Sequence, residues 1–279
     1  MGDHFAAFSF VDRITDYEPG RRARGRYAIP PGITGFPSCL VAEAVGQLAA
    51  WVSMAHINFR GRPVAALANE TRFRAEVRPG DTLELDVDIQ SCDNEAVAYA
   101  GRALVGGKHA IELIDCLGPM LPVEEFDSPD AIAERFALIR GAGAPPGRFG
   151  GVLAPGVVRT GGEPGVSATG TLSVPETAPF FRDHFPRRPV FPATLLLDAQ
   201  IRFALELAGE AAFCPTGTRA VASRMTHVKM RSFVPPRAVL EIGAELGPPS
   251  GAGATVRLSA RMDDKTAATA RLEVVAREA

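Results

Sequence analysis

An internal duplication is the feature that most constrains what this chain can fold into. The segment AIPPGITGFPSCLVAEAVGQ, which begins at Ala28, aligns without gaps with DHFPRRPVFPATLLLDAQIR, which begins at Asp183. The aligned pairs include Phe36 with Phe191, Pro37 with Pro192, Leu40 with Leu195, and Glu43 with Asp198. A chain of 279 residues is comfortable for two domains of ordinary size, each with its own core. The sequence therefore predicts two copies of one fold.

Each copy predicts one helix followed by several strands. A proline opens an apolar helix in both halves, from about Ser38 to Ala55 and from about Ala193 to Ala208, before Gly209. The first helix is apolar nearly all round, which is typical of a buried helix. Alternating segments then predict half-buried strands: TLELDVDIQ and VAYAGRALV in the first half, and AVLEIGAEL, ATVRLSARM and ATARLEVVA in the second. The predicted class is α+β, with an antiparallel sheet wrapped around a long central helix in each half.

The chain changes character between the two copies. Residues Ser128 to Arg140 predict an amphipathic helix with Ser128 as N-cap and Pro129 at the first helical position. The segment GAGAPPGRFGG follows, and its glycine and proline content is typical of a linker. We predict a first domain over residues 1–127, a helix and linker over 128–155, and a second domain over 156–279.

Composition favours an ordinary globular protein of the cytoplasm. The formal net charge is −2, and the four cysteines show no metal-ligand spacing, which fits free thiols in a reducing compartment. The beginning, MGDHFAAFSFVDR, carries charges too early for a signal peptide. We expect no run of about 18 apolar residues that could span a membrane. Neither a membrane nor a nucleic acid is an expected partner.

Two titratable residues are candidates for chemistry. Glu43 is the only charged residue between Pro37 and Ala55, where an unpaired carboxylate would be costly. His184 lies in the stiff segment RDHFPRRPVFP, just before the second helix. The first copy has Ile29 at the position of His184, so a complete histidine and glutamate pair must come from opposite halves. A carboxylate facing a polar seam and a structural histidine are the simpler alternatives.

The same residues carry a family resemblance. HFPRRPVFPATLLLDAQ resembles the HFPxxPVxPGVLxxEAxxQ motif of bacterial 3-hydroxyacyl-acyl-carrier-protein dehydratases. VDRITDYEPGRRARG resembles the opening segment of these enzymes, and RFRAEVRPGDTLELDVDI resembles their strand passage through PGD. The resemblance covers nearly the whole chain, once per half. It implies a hot-dog fold in tandem, that is, a double hot-dog.

In that family, each site combines a histidine from one subunit with a helix acid from the other. The resemblance implies that His184 is the base, and that Glu43 is the acid, accompanied by Gln47. It implies that the Val190 carbonyl orients the histidine, and that the Ala193 N–H meets the thioester carbonyl. The residues expected to line the substrate tunnel are Cys39, Phe185 and Pro192.

Three residues depart from the family pattern: two of them affect the second, symmetry-related site, and Ala193 affects the site of His184 and Glu43. Ile29 removes the histidine of the first half, and Arg202 stands where the second half should have glutamine. Ala193 replaces the usual glycine, which narrows the approach to the thioester carbonyl. We therefore expect the Ile29 and Asp198 positions to form no working site. Modular polyketide dehydratases also fuse two hot dogs, but with the histidine in the first half.

The resemblance implies dehydration of 3-hydroxyacyl thioesters to trans-2-enoyl thioesters, in fatty-acid or polyketide-type synthesis. It implies no metal and no cofactor, because the substrate is carried on the phosphopantetheine of an acyl carrier protein. Basic side chains on two strand passages are candidates for docking the acidic carrier: Arg72, Arg74, Arg78, Lys229 and Arg231. Double-bond isomerisation, an acyl thioesterase, a non-catalytic acyl-binding or scaffold subunit, and homodimer formation stay open as alternatives.

Overall fold

The computed structural model of the chain describes residues 7–145, 147–152, 155–251 and 253–278. Parts of the predicted first domain, linker and second domain (residues 1–6, 146, 153–154, 252 and 279) lie outside the described residues. Within the described ranges the chain forms three α-helices and thirteen strands. The predicted α+β double hot-dog class is confirmed, because each half is a long helix against an antiparallel sheet.

The first half contains one central helix and seven strands among its described residues. The helix α1 spans Ser38–His56. Its strands are β1 Arg13–Glu18, β2 Arg22–Ala28, β3 Gly61–Pro63, β4 Leu67–Phe73, β5 Thr82–Cys92, β6 Ala96–Val105 and β7 Lys108–Pro122. The predictions did not include β7, which extends the sheet beyond β6.

A second helix, α2, spans Pro129–Arg140, with Ser128 as its N-cap and Pro129 in the first turn, as the sequence predicts. The Ser128 side chain makes no capping hydrogen bond. Phe136 of α2 packs against Trp51 and Tyr17, with ring centroids 6.3 and 5.5 Å away. These aromatic contacts hold α2 against the first half.

The second half repeats the plan of the first. The helix α3 spans Ala193–Gly209. The strands are β8 Val158–Gly161, β9 Ser167–Ser173, β10 Thr218–Met230, β11 Val239–Leu246, β12 Gly253–Met262 and β13 Lys265–Glu278. The sequence predicted an end of α3 before Gly209, but Gly209 is the last helical residue and Glu210 the cap. The Glu210 N–H bonds the Leu207 carbonyl at 3.1 Å, a tightened last turn that carries the helix one residue further.

The two halves share one continuous sheet. The strand order is β1-β2-β5-β6-β7-β4-β10-β13-β12-β11-β9-β8, and β3 pairs with β7 away from this path. Going outward from the β4–β10 pair, the strands β7, β6, β5, β2 and β1 of the first half match β13, β12, β11, β9 and β8 of the second, as expected for a duplicated fold. Glu70 and Thr226, which begin the two basic strand passages, lie directly opposite each other at this join.

Alternation along the strands builds the core. Leu83, Leu85 and Val87 of β5 are buried in one cluster with α1 residues, and the same cluster continues into the second half. The expectation of no membrane-length apolar segment is wrong for α1, which is long enough and apolar enough to cross a membrane, judged by length and composition alone. Slightly more than half of that window is buried inside the protein, as in a core helix.

Candidate active site

One cavity lies between the two halves, where α1 and α3 approach each other. Its volume is about 250 Å³. Glu43 and Gln47 of α1 line it from the first half. His184, Ala193 and the side of Val190 line it from the second half. Residues that are 141 positions apart in the sequence, His184 and Glu43, therefore face the same space.

His184 is held by backbone groups of its own loop. Its Nδ1 lies 3.0 Å from the Val190 carbonyl oxygen, and a carbonyl can only accept, so Nδ1 carries the proton. The Val190 N–H also donates to the His184 carbonyl, at 3.0 Å. The proton on Nδ1 leaves the other ring nitrogen, Nε2, as a free base.

Electrostatics favour the neutral imidazole. Burial lowers the pKa of His184 below its usual value of 6.5, against the opposing effects of the Glu43 charge and the Val190 hydrogen bond. The Arg62 charge lowers this pKa further. A neutral histidine with one free nitrogen is the form that accepts a proton.

Glu43 is anchored by one hydrogen bond on each carboxylate oxygen. Gln47 Nε2 donates to Oε1 at 2.9 Å, from one turn later on the same helix. Thr194 Oγ1 donates to Oε2 at 2.8 Å, from the first turn of α3 in the other half. The sequence predicts that Glu43 lies on a buried, nearly all-apolar helix; its side chain is partly exposed because it faces the cavity.

The first turn of α3 forms another part of the wall. Pro192 is the N-cap and Ala193 the first helical residue, so their backbone geometry directs the first N–H groups of the helix outward. Ala193 and Thr194 both line the cavity. A helix N-terminus carries partial positive charge, which favours a carbonyl oxygen that gains negative charge.

The segment 7–10 joins the two halves beside the candidate pair. The Asp183 carboxylate accepts hydrogen bonds from the N–H of Phe8 at 2.8 Å and from that of the residue before it at 3.0 Å. Gln47 Nε2 donates to the Phe8 carbonyl at 3.0 Å, and the Phe8 ring lies edge-on to His184. Sequence reasoning missed this segment, although a charged residue directly before His184 was a possible signal.

Arg62 is a further cavity residue that the sequence did not single out. It lies on β3, and its guanidinium carbon is 4.1 Å from the centre of the Phe185 ring. Burial lowers the pKa of Arg62 to about 10, partly offset by the charge of Asp127. A lone arginine in the segment GRPV gives no motif by which it could have been found.

The structure brings only part of the predicted tunnel together. Phe185 lines the cavity, and its peptide bond with His184 is cis. Within the described ranges, Cys39 and Pro192 are not cavity-lining residues, and both are buried. Cys39 is the second residue of α1, and the charges of Asp198 and Arg202 act on it, so it lies at the symmetry-related position. Burial, followed by the Asp198 charge, raises the pKa of the Cys39 thiol.

The symmetry-related position lacks the same set of groups. Ile29 is buried in the core at the place that corresponds to His184. Asp198 is ion-paired with Arg202, whose Nε lies 3.0 Å from its carboxylate. Burial raises the pKa of Asp198, and the Arg202 charge opposes that shift. An aspartate neutralised by an arginine, with isoleucine instead of histidine, offers no acid and base pair.

The predicted docking residues lie away from the cavity wall, as far as the described residues show. Arg72 and Arg74 are paired with carboxylates, at 2.6 Å from Glu70 and 2.7 Å from Glu112. The exposed side chain of Arg78 follows β4. Lys229 and Arg231 lie on the outer face of the sheet, where they line a groove together with Arg257 and Arg271.

Comparisons with known proteins agree with this architecture. A FabA-like domain family matches residues 4–114, and the ApeI dehydratase family matches residues 162–271. The 3-hydroxyacyl-[acyl-carrier-protein] dehydratase FabZ of Thermomicrobium roseum is 34% identical over 120 residues, which cover 39% of this chain and 80% of that protein. FabZ of Clostridium acetobutylicum is 31% identical over 113 residues, with 37% and 80% coverage.

Solved structures resemble the whole chain. The dehydratase domain of PpsC from Mycobacterium tuberculosis, in complex with C12:1-CoA, has a TM-score of 0.57 at 13% identity and covers 97% of this chain and 100% of its own. The tesB protein of Mycobacterium avium subs paratuberculosis has a TM-score of 0.55 at 11% identity, with 94% and 95% coverage.

These likenesses and the continuous sheet define a double hot-dog protein. The identity and coverage of the curated relatives go further: the chain belongs to the 3-hydroxyacyl-[acyl-carrier-protein] dehydratase family. Membership supports a dehydratase role, with an acyl thioester as substrate.

Proposed function

We propose that this protein removes water from 3-hydroxyacyl thioesters on an acyl carrier protein and forms trans-2-enoyl thioesters. His184 is the base and Glu43 the acid. The observation that carries the proposal is that these two side chains, from opposite halves, line one cavity and are each fixed by hydrogen bonds. The single histidine and glutamate pair gives one working site per chain.

The reaction follows from the positions of these groups. Nε2 of His184 takes the proton from C2, and the electron pair left on C2 forms the new double bond. Hydroxide leaves C3 with a proton from the Glu43 carboxyl group, so one water molecule is released. The histidinium then returns its proton, through solvent, to Glu43. The first N–H groups of α3, including that of Ala193, stabilise the charge that develops on the thioester oxygen.

The surrounding residues restrict how the pair can move. Gln47 and Thr194 hold the two oxygens of Glu43, and the Val190 carbonyl holds the His184 ring. Fixed geometry lowers the entropic cost of bringing the acid and the base to adjacent carbons of the substrate. Arg62 and Phe185 form the wall behind the ring.

The carrier would dock on the outer face of the second half. Lys229, Arg231 and Arg271 line a groove there, together with Arg257, which is ion-paired with Glu245. The groove therefore carries an excess of positive charge, which complements an acidic partner. Lys229 lies in register with Leu67, a half-exposed residue of the cavity wall. This pairing brings the groove close to the cavity.

The test compares wild type, His184→Ala and Glu43→Gln on a 3-hydroxyacyl carrier substrate. Dehydration removes one water molecule, so the readout is a mass loss of about 18 units, and the rate of that loss depends on general acid–base catalysis. Each substitution should lower turnover by about 10²-fold or more, as expected for loss of an acid or a base. Asp198→Asn is the matched control, because it changes the corresponding carboxylate outside the cavity, and it should retain turnover.

Equal activity of all four proteins would remove the assignment. Measuring free thiol in the same reactions separates a second possibility. Thiol release without an enoyl product would identify an acyl thioesterase, which shares the fold.

A further inference from the structure

A charged cluster lies in the cavity wall beside the proposed site. Arg62 of β3 and Arg135 of α2 both line the cavity. Asp127 is buried, and its carboxylate accepts a hydrogen bond from Arg135 at 2.7 Å. Arg135 is therefore paired with this carboxylate, whereas Arg62 feels the charges of Asp127, Glu43 and Asp183 only at a distance.

Donors in this cluster lack acceptors. Arg135 Nε is buried and has no hydrogen-bond partner among the described residues. Arg62 makes no hydrogen bond or ion pair within the described ranges, and its close contact is the Phe185 ring. An arginine offers five N–H donors in a planar fork that matches an oxyanion. Buried donors without acceptors are costly, so the cluster fits a ligand that brings oxygen atoms to it.

The position of Arg62 relative to His184 follows from two stacking contacts. The Arg62 guanidinium and the His184 ring each lie 4.1 Å from the centre of the Phe185 ring. Two groups cannot share one face of a ring at that distance, so Arg62 lies beyond Phe185 as seen from His184. The cation is therefore outside contact with the reacting carbons but within the same cavity.

The neighbouring wall is apolar. Met54 of α1 packs against Ile132 of α2, and both line the cavity with Trp51. Ile132 is one helical turn from Arg135. Met54 is eleven positions after Glu43, which corresponds to about 16 Å along the helix. An acyl chain that follows this wall away from Glu43 therefore reaches the neighbourhood of Arg135, where a negatively charged chain end would be favoured.

We propose that Arg62 and Arg135 form an oxyanion-binding subsite that selects substrates with an anionic oxygen group, supplied by a carboxylate on the acyl chain or by the phosphate of the pantetheine arm. The inference rests on the proposed function, because it assigns the specificity of the same cavity. Asp127 holds Arg135 in place, and Phe185 holds Arg62.

The test uses unreactive saturated acyl-pantetheine thioesters, which lack the 3-hydroxyl group and are therefore not dehydrated. Four probes combine a methyl or a carboxylate chain end with an arm that carries or lacks the phosphate. Calorimetry gives Kd for wild type, Arg62→Met, Arg62→Gln and Arg62→Lys. A charge-assisted hydrogen bond predicts that wild type binds the matching charged probe about tenfold or more tightly than the neutral one.

Arg62→Met and Arg62→Gln should abolish this preference, and Arg62→Lys, which keeps the charge, should retain part of it. Loss of preference for the carboxylate end identifies the acyl chain as the source, and loss of preference for the phosphate identifies the arm. Equal binding of all four probes by wild type overturns the proposal, whether or not any variant folds. Unchanged preference in folded Arg62→Met also overturns it.

Failure of the proposed function would be distinguishable from failure of this inference. Binding of the saturated probes needs no turnover, so the selection can be present in a protein that dehydrates nothing. Conversely, dehydration of neutral and anionic substrates with equal kcat/KM would leave the function intact and contradict the subsite.

Discussion

Replacing Thr194 by valine tests the geometry of the proposed site most directly. The two side chains have similar shapes, so Thr194→Val removes the hydroxyl that donates to Glu43 Oε2 at 2.8 Å and little else. Removing this donor leaves the Oε2 acceptor without its partner, which costs about 1–3 kcal/mol and corresponds to about 5- to 150-fold in rate. Because Gln47 still holds Oε1, we expect the lower end, about a tenfold fall in kcat.

The assay is the formation of the enoyl thioester, followed by mass over a range of substrate concentrations. Thr194→Ser keeps the hydroxyl and should stay within about threefold of wild type, which is about 0.6 kcal/mol. Cys39→Ala changes the matching position of α1, next to Asp198, and should leave kcat unchanged. An unchanged kcat in Thr194→Val would refute the reasoning, and so would equal losses in the serine and valine variants.

Three further predictions concern pH, stability and the carrier. The acid limb of kcat/KM should fall at an apparent pKa below 6.5, because burial lowers the pKa of His184 and the base must be neutral; a limb above 6.5 would contradict this. Burial raises the pKa of Asp12 from 3.8 to about 6, so between these two pH values the folded state keeps a proton that the unfolded chain releases. Urea titrations should therefore show that the free energy of unfolding falls as pH rises from 3.8 to about 6. Asp12→Asn should remove this slope, a difference of about 1–2 kcal/mol at pH 7 after solvent screening, whereas an identical slope in the variant would exclude Asp12 as its origin. Reversing the charges of Lys229 and Arg231 to glutamate should raise KM for carrier-bound substrate about tenfold at low salt and leave KM for a pantetheine thioester unchanged; equal KM values for the carrier would argue against docking there.

The duplication made the fold and the candidate pair predictable from the sequence. Comparing the two copies showed that His184 had no equivalent in the first half and that Glu43 stood alone in an apolar helix. The structure adds that both side chains line one cavity, although their catalytic roles stay a prediction. The helices were predicted to within one or two residues, because a proline directly before each of the two central helices marks its start clearly.

The parts that were missed depend on contacts between distant segments. Thr194 reads as an ordinary first-turn residue, and its partner Glu43 lies 151 positions away. Cys39 was placed in the tunnel because alignment gives the position within a copy but not which half that position faces. Arg62 likewise has no sequence motif, and only the fold shows what its charge lies against.

The shared sheet has a consequence for how such a protein can change over time. In a pair of identical subunits, every substitution appears twice, so loss of a histidine would remove it from both sites. When both copies lie in one polypeptide, each copy is substituted independently of the other. The first half could therefore acquire Ile29 while the second kept His184. The β4–β10 ladder keeps the unequal halves together, so the half that has Ile29 in place of the histidine still places Glu43 in the wall of the shared cavity.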